Sequence, residues 1–292
     1  MNCRKRELAS CWGEQSLIGY PVVGDMFISA KQLLMVGLVV LSELAMGQGP
    51  LLRKVLQPTS SEGEFGMYGS DICGDLLVVG SAFDRVDANG REGAVHVFRR
   101  DTGGPDNWGQ IAQIDPPPDA TSRAGFGFRV AVDRDLIAVG SFRGRLERAD
   151  VHIYQVQGLR VTRLARIPDN VDDEEFGIDL DLFGNTLAVS AWNGGEGRTL
   201  NGRVHIYQAE VGRQNWVLQR TLTASATTLD DHYGWAVALS EDTLAVSAKD
   251  DWDGQRESGA VYLYERDRGG GNPWGEVQKL QASGTVRGGT LW

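Results

Sequence analysis

Four times along this 292-residue chain an aromatic residue and a glycine open the same sequence plan. An alternating stretch follows, then a two-residue turn and a second apolar run ending in small side chains. After a variable loop each copy closes on Val, then His or Tyr, then an aliphatic and an aromatic residue. The copies begin at Phe65, Phe126, Phe176 and Tyr233, spaced 61, 50 and 57 residues apart. The last is the cleanest, YGWAVALSEDTLAVSAKDDWDGQRESGAVYLY over residues 233–264. A fixed plan recurring at this period signals a repeat architecture and constrains the fold more than any local motif can.

Each copy reads as four short strands. In the second, residues 128–132 alternate, 136–141 are almost continuously apolar, 151–154 make a third strand and 159–167 a fourth. Elsewhere the fourth strand opens on tryptophan, at 108–114, 216–222 and 274–280. Sheets this small cannot each bury both faces alone, whereas radial stacking buries every face. The predicted fold is therefore all-β, a β-propeller of four-stranded antiparallel blades, with about four blades and units near 65–114, 126–167, 176–222 and 233–280. Residues 51–56 are a fifth candidate for a fourth strand, a surplus that a closed ring would not leave. The ring is expected to be open or incomplete, with 51–56 as a leading edge strand and unpaired sheet faces at both ends offering a route to self-association.

The Phe-Gly opener, the strand ending Val-Gly-Ser or Val-Ser-Ala and the closing Val-x-aliphatic-aromatic run resemble the FG-GAP repeats of integrin α-subunit propellers and related bacterial secreted and surface proteins. The resemblance covers about residues 65–280 and implies a seven-bladed family of extracellular binding domains. It also implies a calcium loop, D-x-D-x-D-G, before the small-residue element. Here that place holds only Gly74-Asp75, Arg134-Asp135, Gly184-Asn185 and Glu241-Asp242. One carboxylate or none cannot supply the six to eight oxygens that calcium takes. The family's metal sites are thus not expected to carry over.

Weaker cation candidates lie in the loops between second and third strands. Asp84, Asp87 and Asn89 in one, and Asp251 and Asp253 in another, end in D-x-[DN]-G. Arg85 or Lys249 stands where the first ligand belongs, and long hairpin turns favour the same residues for their backbone conformation. Calcium is the only cofactor left open. Three of the four histidines, His96, His152 and His205, share one slot, which the fourth copy fills with Tyr262. Equivalent slots in successive blades stand a sheet spacing of about 10 Å apart, too far for one zinc, so packing is the expected role. Cys3 and Cys11 fall in the leader, which leaves Cys73 as a lone thiol in the repeat region.

Residues 31–47, KQLLMVGLVVLSELAMG, hold a nine-residue apolar run too short to span a bilayer. Read from Met26, they follow the plan of a signal peptide with small residues before Gln48. The expected organisation is an upstream extension over 1–25, a signal peptide over 26–47, and a propeller over 48–292 with no membrane span, exported to the cell surface, the periplasm or the medium. A net charge of −10 argues against nucleic acid as a partner.

The leading functional reading is a non-catalytic binding or scaffold module with no catalytic residues and no cofactor. Its loops at 83–92, 142–149, 192–201 and 249–258 would present a protein or glycan ligand with a variable surface. Trp192 and Trp252, which do not recur from copy to copy, are the candidate contacts. Two alternatives remain open. One is a propeller enzyme acting on glycans, which needs paired carboxylates across a cleft, whereas Asp172 to Glu175 read as a solvated acidic run. The other is a purely structural repeat within a larger surface assembly.

Overall fold

The structure, a computed structural model, describes residue 56 and residues 65–281 apart from 88–89, 106, 121–124, 143–148, 170–174, 193–200, 226–230, 253–257 and 268–273. The described residues form strands and turns without a helix. Blade 1 is β1 (Ser70–Cys73), β2 (Leu76–Ser81), β5 (Ala94–Arg99) and β6 (Gly109–Ile114), with β3 (Arg85–Asp87) and β4 (Gly90–Arg91) pairing in the loop between β2 and β5. Blade 2 is β7 (Arg129–Asp133), β8 (Leu136–Gly140), β9 (Asp150–Gln157) and β10 (Arg160–Pro168). Blade 3 is β11 (Leu180–Phe183), β12 (Thr186–Ala191), β13 (Arg203–Ala209) and β14 (Trp216–Leu222). Blade 4 is β15 (Tyr233–Leu239), β16 (Thr243–Ala248), β17 (Ala260–Arg266) and β18 (Trp274–Leu280).

All four sheets are antiparallel and follow chain order, and none closes on itself. The first strands β1, β7, β11 and β15 pack on one another in succession, so they form the inner edge of an open, propeller-like arc. Strands β2, β8 and β12 are buried at every position, which requires cover on both faces and explains their runs of β-branched and small apolar residues. Blades meet through three cores. Val78, Val95 and Val97 of blade 1 pack on Phe126, Ile137 and Val139 of blade 2. Val151 and Ile153 pack on Phe176 and Leu187, and Val204 and Ile206 on Tyr233 and Leu244.

The glycine of each opener makes this approach possible. Gly66, Gly127, Gly177 and Gly234 all have φ between 72° and 89°, a region that side chains disfavour. A Cβ added to Gly80 would collide with the carbonyl of Gly127 in the next blade. The inner edge is also held by carboxylates. Asp71 accepts the N–H of Val132 at 2.7 Å, and Asp181, at the same sheet position two blades on, accepts that of Leu239 at 2.6 Å. Between blades 2 and 3, where Ala131 fills that position, Asp133 takes the N–H of Gly184 at 2.7 Å instead. Each carboxylate satisfies a donor that an inner edge strand would otherwise leave unpaired.

Strand β17 pairs with β16 and β18, so the last blade completes itself without a borrowed N-terminal strand. Residues 51–55 lie outside the described residues, but Leu56 is buried on blade 1 against Leu77, Val79, Phe98 and Trp108. The expectation of bare faces at both ends therefore needs correcting for blade 1, whose leading face carries this cover. On blade 4, among the described residues, β16 alternates between buried and partly exposed.

Candidate functional site

Most of the sequence-derived candidates turn out to hold the frame together. The β1–β2 turn and its counterparts pair their acids with arginine: Asp75 with Arg100, Asp135 with Arg213 and Asp242 with Arg266. Partial burial raises the Asp135 pKa, but hydrogen bonds from Gln155 and Arg213 outweigh it and hold the carboxyl below its usual range.

Asp84 and Asp251 occupy equivalent places and do equivalent work. Both are buried, and each backbone carbonyl accepts two N–H groups that close its loop, from Glu92 and Gly93 or from Ser258 and Gly259. The Asp84 carboxylate meets His96 Nε2 at 3.3 Å. Asp251 receives the Tyr262 hydroxyl at 2.7 Å, Lys279 Nζ at 2.7 Å and Gln281 Nε2 at 3.1 Å. The side chain of Asp87, together with Asn89 and Asp253, lies outside the described residues. Of the acidic run at 172–175, Glu175 is described and is buried rather than solvated.

The shared slot is a ring-packing position in every blade. Phe65 faces His96 at 5.4 Å, Phe126 faces His152 at 5.8 Å, Phe176 faces His205 at 5.7 Å and Tyr233 faces Tyr262 at 5.6 Å. Among the described residues no three histidine, cysteine or carboxylate side chains gather around a common point. Burial pushes the His152 pKa down to about 4 despite the nearby Asp150. The repeated tryptophans are also structural. Trp108, Trp216 and Trp274 are buried, with Arg100 over Trp108, Arg266 over Trp274 and the Trp216 indole donating to the Arg213 carbonyl. Cys73 is buried and, in the full-length chain, disulfide-bonded to a partner outside the described residues.

What remains is a set of partly exposed rings on one face. The start of each inner strand and the end of the second strand lie side by side in an antiparallel pair, so both reach the edge from which the long loops spring. At the blade 1–2 junction Tyr68 stacks on Phe128 at 4.5 Å, with Phe83 edge-on to Tyr68 and Phe142 beside Phe128. Arg129 lies over the Phe128 ring. At the blade 3–4 junction Trp192 meets Trp235 edge-on at 4.7 Å and lies 4.7 Å from the ring of His232. Lys249 Nζ sits 4.5 Å over Trp235, and Asp250 binds both His232 Nδ1 and Lys249. All of these side chains are partly exposed.

Partly exposed rings, flanked by fixed cations and a carboxylate, can contact a sugar ring or an aromatic or aliphatic side chain and hydrogen-bond to its periphery. Trp192, expected from the sequence as a contact, belongs to this ridge. Trp252, the other candidate, is 48% exposed on the loop after β16. Tyr68, Phe83, Phe128, Phe142 and Trp235 were missed. Phe142, Trp192 and Lys249 follow their second strands at one equivalent position, a shared position that could have drawn attention to the face.

Comparison with known proteins bears on the repeat. A family model described as FG-GAP repeat matches residues 216–264, from the outer strand of blade 3 through the third strand of blade 4. No curated protein sequence matches the chain. Among solved structures, the crystal structure of Saccharomyces cerevisiae Sqt1 is similar over 68% of this chain and 44% of that one, with 9% identity and a TM-score of 0.39. The chain thus spans less than half the length of that protein, and the likeness is too slight to support an argument.

Proposed function

We propose that this FG-GAP repeat chain is a non-catalytic binding or scaffold module that works outside the cell and engages a protein or glycan through the aromatic ridge. The observation behind this reading is that rings from all four blade edges, Tyr68, Phe128, Trp192 and Trp235 among them, stay partly exposed on the face where the loops emerge. Buried acids elsewhere are engaged by structural partners, whereas this face leaves surface open to a ligand. Partly exposed aromatics on a rigid frame concentrate contact area at small entropic cost. The signal-peptide plan at 26–47 supports export, and the match to FG-GAP repeats agrees with an extracellular setting. Among the described residues no helix is long and apolar enough to cross a membrane.

The test is a glycan and protein array probed with the purified chain and with its Trp192→Ala/Trp235→Ala variant. A ligand retained by the first and lost by the second supports the proposal. Hits that ignore the double substitution would reject the ridge as the binding surface.

A further inference from the structure

The residue just before the opener takes a left-handed turn in blades 2, 3 and 4. Gly125 has φ 67°, Glu175 64° and His232 50°. In each case the N–H three residues on, from Phe128, Ile178 or Trp235, donates to its carbonyl, so the turn is closed by backbone alone. Glycine adopts this conformation freely, as at Gly125, whereas a side chain is strained there. Strain kept where glycine would relieve it points to work done by the side chain.

His232 makes that work visible. Its Nδ1 lies 2.6 Å from the Asp250 carboxylate, which also holds Lys249 Nζ at 3.1 Å. Nδ1 must carry its hydrogen to meet a carboxylate, which fixes the ring and leaves Nε2 over. Nε2 has no partner among the described residues, on a side chain that is 21% exposed. The imidazole stands 4.7 Å from the ring of Trp192, which meets Trp235 edge-on. At the blade 1–2 end of the ridge, by contrast, Arg129 is committed to Asp179 at 3.1 Å and to the Tyr68 carbonyl. Phe83, Phe128 and Phe142 around it bring no hydrogen-bonding side-chain atom.

We propose that the blade 3–4 corner is the specificity subsite of the ridge, taking one neutral sugar ring against Trp192 and Trp235 with a sugar hydroxyl hydrogen-bonded to His232 Nε2. The inference rests on the ridge being the binding face. Two features favour a sugar over a peptide. A hydroxyl both donates and accepts, so it meets Nε2 with or without a proton, and it does so at the rim of a ring whose C–H groups can lie against an indole. The Lys249 ammonium and the Asp250 carboxylate already neutralise each other, so neither is left to select a charged ligand.

Titration of the intact chain with the methyl glycosides of glucose, galactose, mannose, fucose and N-acetylglucosamine, followed by tryptophan fluorescence, tests this. At least one should bind. His232→Gly, which suits the turn and keeps its backbone hydrogen bond, should weaken that binding about tenfold, equivalent to roughly 1.4 kcal/mol, with the unfolding transition unchanged. His232→Asn, also at home in a left-handed turn but too short to place its amide where Nε2 stands, is the second variant and should match it. A glycoside that binds the parent and His232→Gly equally but is lost in Trp192→Ala/Trp235→Ala would overturn the subsite while sparing the ridge. Equal binding to all three would reject the ridge as well. Binding by none of the five glycosides, or array hits confined to peptides or acidic glycans, would overturn the neutral-sugar assignment.

Discussion

Replacing His152 by tyrosine should change how stability depends on pH far more than it changes stability itself. The imidazole is fully buried, and burial lowers its pKa from 6.5 to about 4. The folded chain therefore resists a proton that the unfolded chain accepts. Because the folded pKa is depressed, stability is complete above pH 6.5 and falls as pH drops toward 4, where the unfolded state binds more protons. Linkage over that interval gives a loss of about 2 kcal/mol between pH 8 and pH 5 from this one group.

Tyrosine already fills the equivalent slot at Tyr262, where its hydroxyl donates to Asp251, and at position 152 it would face Asp150, 3.9 Å from the present Nε2. At pH 8 the variant should lie within about 1.5 kcal/mol of the parent, as a shape-similar core exchange does. Urea unfolding at pH 8, 6.5 and 5 measures both quantities. The parent should lose about 2 kcal/mol more than His152→Tyr on acidification. Parallel losses in the two proteins would refute a buried, neutral His152.

Asp181→Ala should cost about 3 kcal/mol, because it strands the N–H of Leu239 and that of Leu182, which the same carboxylate accepts at 2.8 Å. For a domain of this size that corresponds to a fall in Tm of roughly 6–12 °C, and a shift under about 2 °C would show that the clasp is dispensable. Excess chelator should leave Tm unchanged, since Asp84 and Asp251 already have protein partners; a fall of several degrees would point to a bound cation. Expression from Met26 in a secreting host should release a chain that begins near Gln48. Terminal sequencing that finds Met26 intact on the exported protein would contradict the signal-peptide reading.

The repeat made the four blades legible because each strand's pattern is local. The β14 and β18 boundaries follow directly from Trp216 and Trp274. Blade 2 was harder to delimit, since its fourth strand lacks the tryptophan and β9 and β10 extend to a turn at Gly158 and Leu159. In all four blades the pairing of third and fourth strands slips at a bulge, beside Phe98, Tyr154, Tyr207 or Tyr264. No composition signal announces such a slip. The carboxylate clasps were hidden for another reason. Asp71 and Val132 are 61 residues apart, and their bond exists only once two blades stand side by side. The aromatic ridge draws its rings from inner-strand starts and second-strand ends, which become neighbours only through sheet pairing, so Tyr68 and Phe128 meet across a seam that neither sequence copy contains.

Oxidative footprinting of the chain, free and saturated with the ligand its array screen identifies, addresses the binding face most directly. The account predicts protection concentrated at Tyr68, Phe128, Trp192 and Trp235, with Leu159 and Val211, exposed at the hairpin ends away from the ridge, labelled equally in both states. Protection at Leu159 and Val211 with the four ridge rings unchanged would place the ligand elsewhere on the arc and contradict the account.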